Sequence, residues 1–360
     1  MNLSSSSEKE NLYKKRVTVL KETFQFVDAI LIEDPIDLYY LTGLSFSVGQ
    51  LWIGKKEVLL LVDSRYIAGA EEKSPFPVAL KSLAKISDFI LRNQVSSLGF
   101  DGAKTFFERV EELKRDFSSL FFKPLSLVTK ELRKIKEPEE ILFTRQSASI
   151  LWDGYLYIKT LLRKGISEKE VARQFEIFCL QKGADALSFE PIIAFGENSA
   201  LPHYRAGEKK LEEGHVVLID IGVIFKGYAS DMTRVLFFKK EDPLLSRWLD
   251  IIIRAKDCAF SICRPGTLFK DLDVAVRSVL KQENVEEYFI HSLGHGIGLE
   301  VHEPPKIRFD QDEGVLKPGM IFTLEPGLYL PGRGGVRYED MIIVTEKGAE
   351  NLFPFDKAVL

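Results

Sequence analysis

The sequence predicts an α/β protein of two domains, the second built on a largely antiparallel sheet flanked by helices. Its 360 residues exceed what one ordinary hydrophobic core takes up. Short apolar runs alternate with helical stretches early in the chain. Later, two β-rich hairpins bracket two helices. With 45% hydrophobic and 28% charged residues, the composition is that of a folded chain and not of a disordered one.

Taken in order, a helix is expected over residues 9 to 24, then strands at VDAILI, QLWI and EVLLLV, with Gly54, Lys55 and Lys56 as a hairpin turn. DSRYIAGAEE reads as a helix opened by Asp63 or Ser64. The strand SSLGFDG and the charged helix TFFERVEELKRDF complete a first domain over residues 1 to 125. The second domain, residues 126 to 360, starts in a charged connection that leads to a helix at Pro138. Helices are expected over 138 to 163 and 167 to 182, the latter with a capping box on Ser167 and Glu170. VVLIDIGVIF and YASDMTRVLFF should pair across Lys226-Gly227, and MIFTLEPGLYL and GGVRYEDMIIVT across Pro331-Gly332. Between the hairpins lie helices near 243 to 262 and 268 to 282.

Composition excludes several function classes. A formal charge of -4 with interspersed signs offers no field for a nucleic acid or an anionic membrane surface. Cys179, Cys258 and Cys263 have no CxxC spacing, which argues against a disulfide framework. No signal-type segment opens the chain and no run approaches a membrane span, so a cytoplasmic protein is expected.

The chemistry concentrates in acids set in apolar sequence: LIDIG, YASDM, TLEPG and RYEDMIIV. With the first turn centred between Phe225 and Lys226, Asp220 falls opposite Asp231. With the second centred on Gly332, Glu325 falls opposite Glu339. Both placements assume unbulged hairpins. Buried carboxylates this close repel and demand a cation. For any single acid, an ion pair to Arg234 or Arg337 is an equal alternative. Two facing pairs are met more simply by two metal ions about 3.5 to 4 Å apart. HSLGHGIGLEVHEPP adds His291, His295 and His302 as nitrogen donors, with Gly294, Gly296 and Gly298 expected to let the backbone approach ions or substrate. Its GxGxG follows no clear strand, which argues against a nucleotide loop.

In sequence order LPHY, IDIG, SDMTR, HSLGHGIGLEVHE, TLEPGLY and GVRYED resemble the Xaa-Pro aminopeptidase and prolidase branch of the pita-bread metallopeptidases. Spacings of 11, 64, 30 and 14 residues between the five candidate ligands suit that branch. DLYYLTG and LLLVDSRY resemble the creatinase-type N-terminal domain that accompanies it. The resemblance implies that Asp220 binds one ion, that Asp231 and Glu339 bridge both, and that His295 and Glu325 complete the second. It implies two divalent ions, Mn2+ first, with Co2+, Fe2+ or Zn2+ as alternatives. His203, His291 and His302 match second-shell and substrate-facing histidines, and Arg337 matches an arginine beside the bridging Glu that would orient Asp220. His215 stands where the family usually has an acid and is read as a surface or turn residue.

The expected activity is release of an N-terminal residue ahead of proline by a metal-bridging hydroxide, with Glu325 as general acid/base. A dipeptidase for Xaa-Pro shares every residue named and is the alternative. A non-catalytic peptide-binding protein on the same fold is the remote one. Proline-containing peptides are the expected partners, and the resemblance implies a homodimer.

Overall fold

Proline and aspartate set several helix starts in this chain, as the computed structural model of residues 6–126, 128–310 and 314–359 shows. The chain divides into two units, Met1–Leu132 and Arg133–Leu360. The first contains, in order, α1 (Ser6–Thr23), β1 (Ala29–Ile32), α2 (Pro35–Thr42), β2 (Gly49–Gly54), β3 (Val58–Val62), α3 (Ile67–Lys73), β4 (Val78–Leu80), α4 (Leu83–Asn93), β5 (Ser97–Asp101), α5 (Phe107–Asp116) and β6 (Phe121–Leu125). A short α6, Lys130–Arg133, runs across the division. Asp34 caps α2 by accepting from the Ile36 and Asp37 N–H groups, with Pro35 in the first turn.

The six strands form one mixed sheet in the order β4-β3-β2-β1-β5-β6. β2 pairs antiparallel with both β1 and β3, and the other pairings are parallel. Trp52, Leu61, Phe89, Leu98 and Leu113 pack between sheet and helices. α3 starts later than the sequence suggests. The Asp63 carboxylate accepts from the Arg65 main-chain N–H at 2.9 Å, which holds this segment in a turn, and the helix begins only at Ile67.

The second unit opens with α7 (Pro138–Leu161) and α8 (Glu168–Gln181). Ser167 caps α8 by accepting from the Glu170 N–H, while a reciprocal capping box forms on Glu137 and Glu140 at α7. There follow β7 (Ala186–Leu187), β8 (Ile192–Phe195), a 3-10 turn (Gly196–Ala200), β9 (Val216–Ile221), β10 (Val223–Phe225), β11 (Tyr228–Ala229) and β12 (Met232–Phe237). After α9 (Pro243–Ser261) and α10 (Phe269–Gln282) come β13 (Gly294–Gly296), β14 (Glu303–Ile307), β15 (Ile321–Leu324), β16 (Gly327–Leu330), β17 (Gly334–Arg337), β18 (Asp340–Thr345), β19 (Gly348–Asn351) and β20 (Ala358–Val359).

Every described pairing in this unit is antiparallel except β12 with β20. The pleat of β9 sorts its side chains between two cores. Val216 and Leu218 pack with Leu249 and Ile252 of α9 and Leu272 and Val276 of α10. Val217 and Ile219 pack with Leu151 and Tyr155 of α7 and Val171 and Phe175 of α8. The three cysteines are free thiols, as their spacing suggests. No described helix is long and apolar enough to cross a membrane.

The first hairpin departs from its expected register. Lys226 and Gly227 both have positive φ, 49° and 82°, which makes a two-residue turn closed by Phe225 and Tyr228. The turn centre therefore lies between Lys226 and Gly227. Asp220 pairs with Thr233 and not with Asp231. The second hairpin keeps its expected register, with Leu330 and Gly334 closing a loop around Gly332 at φ 77°.

Candidate functional site

A register slip of two residues leaves a side chain on the same face of a strand, so Asp231, two positions before Thr233, still faces the side that carries Asp220. On the second hairpin, Leu324 pairs with Asp340 and Gly327 with Arg337. Glu325 and Glu339 occupy the opposed breaks between these pairs. The hairpins are joined across the site. The Glu339 N–H donates to the Thr233 carbonyl at 3.1 Å, and the Arg234 guanidinium donates to the Glu339 carbonyl at 2.6 Å.

The two arginines weighed as ion-pair partners take separate tasks. Arg234, fully buried, pairs with Asp340, whose second oxygen takes Lys256, so none of the four site acids is its partner. Arg337 donates one nitrogen to Asp220 Oδ2, Nε to Thr233 Oγ1 at 3.0 Å and Nη1 to the Tyr329 hydroxyl at 2.7 Å. Burial opposes the Arg337 charge, but Tyr329 and Asp220 hold it protonated. The Thr233 hydroxyl passes a hydrogen bond on to Glu339 Oε2 at 2.7 Å.

One guanidinium does not balance four buried carboxylates. Asp220 Oδ1 and Asp231 Oδ1 are buried without a hydrogen-bond partner. Burial, and then the neighbouring Glu339, pushes the Asp231 and Glu325 carboxyls well above the usual carboxylate range. Burial and Asp220 push Glu339 up to about 8. Such a cluster takes up either protons or a cation.

His295 separates these two answers. Burial lowers its pKa to about 4, so the ring is neutral at pH 7. Its Nδ1 lies 3.1 Å from the Gly296 carbonyl, an acceptor, which places the proton on Nδ1. The bare Nε2 then faces Asp231 Oδ2 at 3.7 Å and Glu325 Oε1 at 3.5 Å. A bare imidazole nitrogen and two carboxylate oxygens turned toward one another repel once the acids are deprotonated, and their arrangement is the geometry of a cation site. Ligand atoms of Asp231, His295 and Glu339 all lie within 4.8 Å of one another. Oxygen donors with one imidazole nitrogen, two of the oxygens lacking a partner, fit divalent ions.

Around this centre, the His302 ring stands edge-on to His295 at 4.3 Å. His203 lies in the exposed loop after the 3-10 turn, and burial, followed by Arg337 for His291 and by His203 for His302, lowers the pKa of the other two imidazoles. His291 is lowered to about 4, chiefly by burial, and its Nδ1–H donates a hydrogen bond to the Ser292 carbonyl, so Nε2 accepts from the Tyr329 hydroxyl at 3.0 Å. Tyr329 thereby joins Arg337 to His291. The sequence reading missed Tyr329 and Thr233. The signals available were periodic: Thr233 lies two residues after Asp231, and Tyr329 shares a hairpin with Arg337.

The glycines serve a purpose different from the expected one. A Cβ on Gly294 would lie 1.9 Å from the Thr323 carbonyl oxygen, and one on Gly296 would lie 2.2 Å from that of Pro304. They admit neighbouring strands, and so seat His295. Half-buried His215 accepts from the Glu212 N–H in a turn outside the site.

Two matched protein families cover most of the chain. Residues 143–346 match metallopeptidase family M24, and residues 19–135 match the creatinase/prolidase N-terminal domain. The chain belongs to metallopeptidase family M24 and has the pita-bread fold of its prolidase-like members. It is 36% identical over 336 residues to a Xaa-Pro dipeptidase of Pyrococcus furiosus, covering 93% of this chain and 95% of that protein. Its structure is similar to that of a Xaa-Pro dipeptidase from Bacillus anthracis, with a TM-score of 0.93 at 32% identity, over 97% of this chain and 100% of the other. It is also similar to an X-Pro aminopeptidase from Thermotoga maritima, with a TM-score of 0.87 at 29% identity, over 95% and 100%.

Proposed function

We propose that this chain is a Xaa-Pro dipeptidase holding two divalent ions, manganese in the native state, on Asp220, Asp231, His295, Glu325 and Glu339. The observation that carries the metal reading is the bare His295 Nε2 turned toward Asp231 and Glu325, beside Asp220 and Asp231 oxygens with no partner. The dipeptidase reading replaces the aminopeptidase expectation. Two curated relatives that span 93% of the chain, at 36% and 34% identity, are both named Xaa-Pro dipeptidase. The catalytic residues are common to both activities and do not choose between them.

Divalent ions held by these five residues would supply Lewis acidity and lower the pKa of a bound water toward neutrality. Arg337 holds Asp220 in place, and Thr233 does the same for Glu339, so both carboxylates are aimed before substrate arrives. Glu325 takes the proton of the attacking water and passes it to the proline nitrogen, which leaves only when protonated. His302 and His203 donate hydrogen bonds to the scissile carbonyl as charge develops on its oxygen. A homodimer, as the resemblance implies, belongs to the same reading.

The test is hydrolysis of a Xaa-Pro dipeptide against the matching Xaa-Pro-Yaa tripeptide by manganese-loaded protein. Cleavage of the dipeptide alone supports the reading. Efficient release of the first residue from the tripeptide restores the aminopeptidase assignment.

A further inference from the structure

The loop that carries His203 is fixed by a side chain far from it in sequence. Glu168, the first residue of α8, is fully buried. Its Oε1 accepts from the Phe195 N–H at 2.8 Å and from Asn198 Nδ2 at 2.9 Å. Its Oε2 accepts from the Tyr204 hydroxyl at 2.7 Å and from the Gly207 N–H at 3.0 Å. One carboxylate thus satisfies four donors drawn from the end of β8, the 3-10 turn and both sides of His203. Asn198 Nδ2 also donates to the Tyr204 hydroxyl at 2.8 Å, which closes a triangle beside the histidine. Burial, and then the bond to Glu168, pushes the Tyr204 phenol up to about 12, so it remains a donor.

The far end of the 3-10 turn is tied to the strand of Arg337. Ser199 Oγ donates to the Gly196 carbonyl and accepts from the Gly335 N–H at 2.8 Å. The segment 196–207 is therefore held on Glu168 at both ends and on β17 at Ser199, with exposed His203 between these ties.

We propose that Glu168 is the positioning residue for His203: its carboxylate sets the loop from which that imidazole reaches the substrate. The inference rests on the role given to His203 under the proposed function. A carboxylate is suited to this because both of its oxygens accept, whereas an amide of equal size turns a donor toward donors. In Glu168→Gln, either amide orientation sets an NH2 group against a main-chain N–H, that of Phe195 or that of Gly207.

The experiment is a double-mutant cycle on the full-length, manganese-loaded protein with a Xaa-Pro dipeptide, joined to amide hydrogen exchange. Glu168→Gln should lower kcat/KM about 10-fold in the wild-type background and less than about 2-fold in His203→Ala, because the two residues act through one contact. Amides 196–207 should exchange faster in Glu168→Gln. Ser167→Ala is the control: it removes the α8 cap beside Glu168, should lower the melting temperature, and should leave kcat/KM within about 2-fold. Equal losses from Glu168→Gln with and without His203, or unchanged exchange of the loop, overturn the inference. A fully active His203→Ala protein overturns the role assigned to His203 instead, and the loop exchange still decides whether Glu168 holds that segment.

Discussion

Removing the His295 imidazole deletes the nitrogen that faces both Asp231 and Glu325, and with it the one donor that distinguishes this centre from a cluster of acids. His295→Ala and Glu325→Ala should each abolish dipeptide turnover under metal-saturating conditions. Wild-type activity in metal-loaded His295→Ala would refute the ligand assignment. His302→Ala, which on the proposed assignment removes a hydrogen-bond donor and no metal ligand, should lower kcat by a factor of about 10². Tyr329→Phe tests a residue that motif reading passed over. It leaves Arg337 Nη1 without its acceptor and His291 Nε2 without its donor, in a site where an unpaired buried group costs about 1–3 kcal/mol. A loss of roughly 10-fold in kcat with metal content unchanged is the expected result, and loss of metal would show that Tyr329 matters for ligand geometry instead. Histidines and acids were legible because few side chains do their chemistry, the acids sit in apolar sequence, and three of the histidines fall in one glycine-rich stretch. A tyrosine at a strand position looks like any core aromatic until its hydroxyl partners are known.

At the scale of elements, the outcome depended on turns. The Gly332 loop gave Glu325 and Glu339 their facing placement directly. At the first hairpin, positive φ at Lys226 as well as Gly227 set the turn centre, and apolar patterning does not report φ at a lysine. The error was tolerable because a slip of two residues preserves the face. Helix starts with a proline and a preceding acid were read at Pro138 and Pro243, whereas the same signal at Asp34-Pro35 was passed over and α3 was anticipated too early because Asp63 has a local partner. The glycines of GHGIG were expected to let the backbone approach ions or substrate, but Gly294 and Gly296 are positions where neighbouring backbone packs close. Gly296→Ala would drive a Cβ into the Pro304 carbonyl and separate β13 from β14, on which the aim of His295 depends. Its expected cost is several kcal/mol, read as a lower melting temperature together with lost metal affinity. A stable, fully loaded Gly296→Ala protein would contradict that account of the strand pairing.

For the molecule as a whole, the site links stability to metal and pH. In the metal-free protein Asp231, Glu325 and Glu339 have raised pKa values, Glu339 near 8 against an ordinary 4.5. A carboxyl whose folded-state pKa is raised binds protons more tightly when folded. Its contribution to stability is complete below the unfolded value and disappears as pH rises through the folded one. The metal-free protein should therefore lose stability between about pH 4.5 and pH 8 as these acids are forced to ionise together. Divalent ions act in the opposite direction, since they bind the deprotonated carboxylates and the neutral imidazole and displace protons on binding. Ligand linkage then adds a stabilisation that grows with pH. Melting curves of manganese-loaded and chelator-treated protein should separate more widely at about pH 8.5 than at about pH 6, and titration with manganese should release protons into the buffer. A gap that stayed constant, or that closed with rising pH, would mean that the four acids are neutralised by something other than divalent ions.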